Sequence, residues 1–98
     1  MINRQSDINI IKKILARYFN DGAHKVFIFG SRADGTANTY SDYDIGLVGP
    51  RLPADKYFDI VAEFEDSDLP VKVDLVQMCD VSSEFRSIAA RSTIPLIG

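Results

Sequence analysis

The stretch Lys25–Val48, KVFIFGSRADGTANTYSDYDIGLV, decides the reading of this chain. An apolar run ends at Gly30-Ser31, a polar loop follows, and Asp42 and Asp44 open a second apolar run. Successive side chains of a strand point to opposite faces, so Asp42 and Asp44 share one face, ~6–7 Å apart. Two carboxylates on one face of an otherwise apolar strand repel each other and are costly to bury. A divalent cation removes both penalties. Oxygen ligands with no His or Cys beside them suit Mg²⁺ or Mn²⁺ rather than zinc. Gly30 lets a ligand approach the backbone, and the N–H groups of a helix opening at Ser31 attract phosphate. Carboxylates that bind metal, next to a phosphate cradle, read as nucleotide chemistry.

Working outward, the 98 residues are enough for one domain, residues 1–98. With 46% hydrophobic and 26% charged residues the composition is that of a globular chain, not a disordered one. A net charge of −3 argues against a nucleic-acid surface, since such surfaces are basic. The single cysteine, Cys79, has no partner for an internal disulfide, which fits a reducing compartment. Neither a signal peptide nor a run long enough to cross a bilayer is visible, so the expectation is a soluble, cytoplasmic protein with no membrane partner.

Before the central stretch, Asp7–Asn20 reads as a helix with Asp7 as N-cap and Gly22 as C-cap. Ile8, Ile11, Ile14, Leu15, Tyr18 and Phe19 make its apolar face. The first strand is His24–Phe29, and its nearly continuous apolar run predicts cover on both faces. Ser31–Ala37 predicts one or two helical turns, and Tyr43–Val48 the second strand. After the Gly49–Pro53 loop, Ala54–Glu65 predicts a helix with an acidic exposed side. Val71–Val76 is the third strand, on which Lys72 and Asp74 share a face. Ser82 or Ser83 caps a last helix through Arg91, whose buried stripe would be Phe85, Ile88 and Ala89. Ile94–Ile97 ends the chain as a short strand or apolar tail, held to an edge by Pro95.

Gly30-Ser31, ten residues, then Asp42-Tyr43-Asp44 resembles the GS-x10-DxD signature of the DNA polymerase beta-like nucleotidyltransferases. The chain is so short, and so near GSRARGTA…SDIDL in style, that it resembles the minimal nucleotidyltransferase family. The resemblance implies an α/β (α+β) fold, a small mixed β-sheet flanked by helices. It also implies transfer of a nucleoside monophosphate, AMP from ATP, to an acceptor with Mg²⁺ or Mn²⁺ as cofactor. Asp42 and Asp44 would be catalytic metal ligands, and Asp74 the third carboxylate, completing the ion on the acceptor side. Gly30 and Ser31 would cradle the β/γ phosphates. Arg32 either reaches a phosphate or pairs with an acidic neighbour such as Asp34. Ser41 either bonds a phosphate or fixes its turn.

Asp34 departs from the family's basic residue at that position, and Gly46 from its larger apolar one. Gly46 leaves room for a ligand or for a packed neighbour. The resemblance further implies that a partner protein, such as a HEPN-family toxin, brings the acceptor, with this chain as antitoxin. The rival is a module that keeps the fold and neutralises its partner by contact. An aminoglycoside-type small-molecule transferase shares the motif but normally needs a second domain.

Overall fold

The computed structural model describes residues 3–98. Its elements are α1 (Gln5–Tyr18), β1 (Lys25–Phe29), α2 (Ser31–Asp34), β2 (Tyr43–Val48), α3 (Ala54–Glu65), β3 (Val73–Gln77), α4 (Ser83–Ala89) and β4 (Ile94–Ile97), with a 3₁₀ turn at Met78–Asp80. The strands form one mixed sheet in the order β3-β2-β1-β4. β1 runs antiparallel to both β2 and β4, and β2 runs parallel to β3.

Alternation sorts the strand residues into two layers. Val26, Ile28, Tyr43, Ile45, Leu47 and Leu75 pack with Ile11, Ile14 and Leu15 of α1 and Ile60 and Phe64 of α3. On the opposite face Phe29, Met78 and Ala89 form a smaller cluster, joined by Phe27, Val76 and Val81. The first strand is therefore covered on both faces, in keeping with its unbroken apolar run. Leu75 is 4% exposed on β3. Leu75→Ala should cost roughly 2–5 kcal/mol, as buried leucines do, measured by urea unfolding.

Several boundaries differ from the sequence reading. Asp7 is not the N-cap: α1 begins at Gln5 after Arg4, whose side chain makes no capping bond. Asp7 instead turns into the protein and accepts a 3.0 Å hydrogen bond from the Tyr43 hydroxyl. The helix stops at Tyr18 with Phe19 as its cap, and Gly22, at φ +78°, belongs to the turn beyond. β3 starts at Val73, not Val71, so Lys72 precedes the strand and its carbonyl accepts from the Tyr43 N–H. The last helix ends at Ala89 rather than Arg91, and its cap is Ser82, whose hydroxyl accepts from the Phe85 N–H. Phe85 and Ile88 are 41% and 59% exposed, so only Ala89 of the expected stripe is buried. Seven residues give α4 two turns, enough to bury one small side chain against the sheet. Pro95 does lie on an edge strand, opposite Phe27, where the register is irregular.

Candidate active site

β1 ends at Phe29, and the chain must turn at once to start α2. Gly30 makes that turn at φ +73°, ψ −151°, a conformation open essentially to glycine alone. Its carbonyl accepts from the N–H groups of Ala33 and Asp34, which closes the first turn of α2. The N–H of Ser31 precedes these donors and is left out of the helical ladder by geometry. Glycine is required for a second reason. A Cβ at position 30 would stand 2.5 Å from Oδ2 of Asp44. The Gly30 backbone and the Asp44 carboxylate are thus packed directly against each other.

The sheet register assembles the acids. Asp44 lies opposite Phe29 on β1 and beside Asp74 on β3, and register partners on adjacent strands share a face. That face carries α4. Asp42 is exposed, one residue ahead of β2, and Asp74 is exposed on the outer strand, whereas Asp44 is half-buried. The Asp44 carboxyl is pushed above the ordinary aspartate range, first by burial, then by the charges of Asp74 and Asp42. Asp74 and Asp42 thus both lie near enough to act on Asp44 electrostatically. Among the described residues, no three Asp, Glu, His or Cys side chains form a ready-made ligand set for one ion. The donors still fit a hard divalent cation. They are carboxylates only, one is half-buried against like charge, and backbone beside them can take the phosphate oxygens that would complete the coordination shell.

The other expected contacts lie elsewhere. Arg32 is 4% exposed and turned under the loop that leads to Asp42. Its Nη2 donates to the carbonyls of Ser41 (2.6 Å) and Thr39 (3.2 Å), and its Nε donates to Ser41 (3.0 Å). The guanidinium carbon lies 4.3 Å from the centre of the Tyr43 ring. The Ser41 Oγ accepts from the Asn38 N–H at 3.0 Å, a bond that fixes the turn. Asp34 is exposed and folded onto Thr36, accepting from its N–H (2.9 Å) and hydroxyl (2.6 Å). Those bonds hold its carboxyl below the usual range. Gly46 has a packing reason, because a Cβ there would meet Phe27 and Met78 at 2.7 Å.

Two features went unread in the sequence. Tyr57 on α3 donates its hydroxyl to the Leu75 carbonyl at 2.7 Å, bracing the outer strand beside Asp74. Burial, then the Asp74 charge, pushes that phenol up. A cleft of about 480 Å³ opens beside Gly30, walled by Phe29 and Asp34 on one side and by Phe85, Ile88 and Arg91 on the other. Its α4 wall consists of the apolar side chains that the helical pattern had assigned to the core.

Comparison with known proteins bears on the family and the fold. A family model described as Polymerase beta, Nucleotidyltransferase matches residues 9–97. A Haemophilus influenzae relative, named a probable protein adenylyltransferase MntA, is 33% identical over 91 residues, spanning 87% of this chain and 74% of that one. Among solved structures, a toxin-antitoxin complex with AMP-PNP contains a chain that superposes with a TM-score of 0.71 at 26% identity, over 93% of this chain and 73% of that one. A complex of the tri-AMPylated Shewanella oneidensis HEPN toxin with MNT antitoxin gives a TM-score of 0.67 at 25% identity, over 96% of this chain and 71% of the other.

Proposed function

Because the chain belongs to the polymerase beta nucleotidyltransferase family, we propose that it transfers AMP from ATP to a HEPN-family toxin and so acts as that toxin's antitoxin. One observation carries the reading: Asp44 is held between the Gly30 backbone and Asp74, where a triphosphate and an attacking hydroxyl would meet. Support for the acceptor class comes from the tri-AMPylated HEPN toxin bound to a structurally similar antitoxin. The AMP-PNP complex and the adenylyltransferase relative support ATP. We take residues 1–98 as one transferase domain. Among the described residues no helix is long and apolar enough to cross a membrane. Cys79 is free and exposed, consistent with a reducing cytoplasm, where we assign the activity.

In this reading Asp42 and Asp44 would hold Mg²⁺, and Asp74 would complete the ligand set on the acceptor side. Bound there, Mg²⁺ would neutralise the triphosphate charge and lower the pKa of the attacking hydroxyl. The Gly30-Ser31 turn orients the β and γ phosphates, and the adjoining 480 Å³ cleft gives the nucleotide room. The acceptor oxygen bonds to the α-phosphorus as the bond to the β-phosphate bridging oxygen breaks. Pyrophosphate leaves, and Asp74 receives the hydroxyl proton. Positioning and charge neutralisation are the main demands of such a transfer, so no covalent enzyme intermediate is needed.

The test is intact-mass measurement of the product of the adjacent reading frame, expected to be the HEPN-family toxin, after incubation with this chain, ATP and Mg²⁺. One or more adenylyl increments are expected. An unmodified partner, with ATP intact, would refute the reading.

A narrower outcome concerns Asp74. Asp42 and Asp44 can carry the nucleotide-bound ion without it, so Asp74→Ala should leave ATP affinity near wild type. Turnover should fall ~100-fold or more, the scale of general-base catalysis. Ordinary turnover in that variant would show that the third carboxylate lies elsewhere.

A further inference from the structure

Asp42 is exposed and lies outside the ladder of β2, yet its catalytic role needs a fixed position. The loop before it is partly self-closed. The Ser41 N–H donates to the Asn38 carbonyl at 3.1 Å, the Asn38 N–H to Ser41 Oγ at 3.0 Å, and the Tyr40 N–H to Asn38 Oδ1 at 2.8 Å. That turn is tied to the body of the protein by Arg32, whose fork takes the Ser41 carbonyl through two nitrogens and the Thr39 carbonyl through one. The same guanidinium stacks on Tyr43. Arg32 thus grips the residue on each side of Asp42. Tyr43 is itself anchored by its hydroxyl to buried Asp7. Asn3 brackets Arg32 from the chain's start, its amide donating to the Arg32 carbonyl at 2.9 Å and its oxygen accepting from Nη1 at 3.4 Å.

From this geometry we infer that Arg32 is a positioning residue for the metal site: it sets where Asp42 stands and does not bind the nucleotide's phosphates. The grip depends on a planar fork with several donors and a stacking face, which lysine lacks although it keeps the charge. The kinetic part of the inference rests on the transferase reading; the loop part does not.

The experiment compares wild type with Arg32→Lys and Asn3→Ala. Hydrogen–deuterium exchange of residues 38–42 is followed in the protein without nucleotide, and ATP and Mg²⁺ titrations are then run in the transfer assay. In Arg32→Lys, loop exchange should speed up by ~10-fold or more as local opening becomes easier. The Mg²⁺ concentration for half-maximal activity should rise several-fold. KM for ATP at saturating Mg²⁺ should stay within about 2-fold, while kcat falls by ~100-fold, the scale set by misplacing a reacting group. Asn3→Ala should move loop exchange and Mg²⁺ requirement in the same direction by less, and it decides the matter if Arg32→Lys does not fold. Unchanged loop exchange with a KM for ATP raised ~10-fold, the loss of about one charge-assisted hydrogen bond, would make Arg32 a phosphate ligand and overturn the inference. No change in any readout would overturn it equally. A wild-type chain with no transfer activity defeats the transferase reading and leaves the exchange comparison to decide whether Arg32 sets the loop.

Discussion

Replacing Asp42 and Asp44 together by asparagine should reduce nucleotidyl transfer by ~1,000-fold or more, since loss of one preorganised charge-stabilising group already costs 10²–10³ in kcat. The fold should survive. Asp42 is exposed, and the Asp44 carboxyl is pushed up by burial and by its two acidic neighbours, so the wild-type charge opposes folding when no cation is present. A carboxyl whose pKa is raised on folding adds stability below its unfolded value and loses that contribution as pH rises through its folded value. At neutral pH, therefore, the metal-free double variant should melt no lower than wild type. Mn²⁺ with ATP should raise the melting temperature of wild type and leave that of the variant unmoved. The wild-type response should weaken as pH falls, beginning at a higher pH than an ordinary aspartate would give, because protons compete with the cation at Asp44. Differential scanning fluorimetry over a pH series measures all three results. A variant that keeps its melting response to Mn²⁺ and ATP would remove these aspartates from the metal site.

The second large effect belongs to glycine. Gly30→Ala should destabilise the protein by about 1–3 kcal/mol through backbone strain alone, since φ +73°, ψ −151° is nearly closed to other residues. The added methyl also lands on Asp44 Oδ2, and the carboxylate has to move. Displacing a reacting group by ~1 Å can cost 100-fold, so transfer should drop by at least that factor. Gly35→Ala is the control. Gly35 also has a positive φ, +86°, but a Cβ there would meet nothing within 4 Å. It should lose about 1–2 kcal/mol, the cost of a left-handed residue, and keep its activity. Denaturant unfolding and a transfer assay on the two variants separate strain from the collision. Equal activity in both would mean that the contact between Gly30 and Asp44 does not matter.

The contrast between these glycines shows what the sequence could and could not tell. A glycine closing an apolar strand and an aspartate in the next are local signals, and the sheet packs Gly30 against Asp44. The limits of α3, Ala54–Glu65, were equally legible from its prolines and periodicity. Asp7 was misread because an aspartate near a helix start looks the same whether it caps the helix or reaches inward. Its true partner, Tyr43, is 36 residues away. Arg32, read as reaching a phosphate or pairing with an acidic neighbour, shows a related limit, because it bonds the carbonyls of Ser41 and Thr39. Beside a phosphate cradle an arginine suggests an anion, and only the path of the 38–42 loop reveals carbonyls in the right places to bind it. Helical spacing grouped Phe85, Ile88 and Ala89 correctly but carried no information on whether another layer covers them. Gly46 could not be assigned to a ligand or to packing until Phe27 and Met78 were seen filling its space.

The most direct measurement asks whether neutralisation needs chemistry. Cells expressing the proposed HEPN-family partner would receive either the wild-type chain or the Asp42→Asn, Asp44→Asn variant at equal level, with growth and the partner's intact mass recorded together. Rescue by wild type with an adenylylated partner, and loss of both with the variant, is the predicted result. Rescue by the variant at wild-type level, with the partner's mass unchanged, would contradict the account and leave a contact-only module.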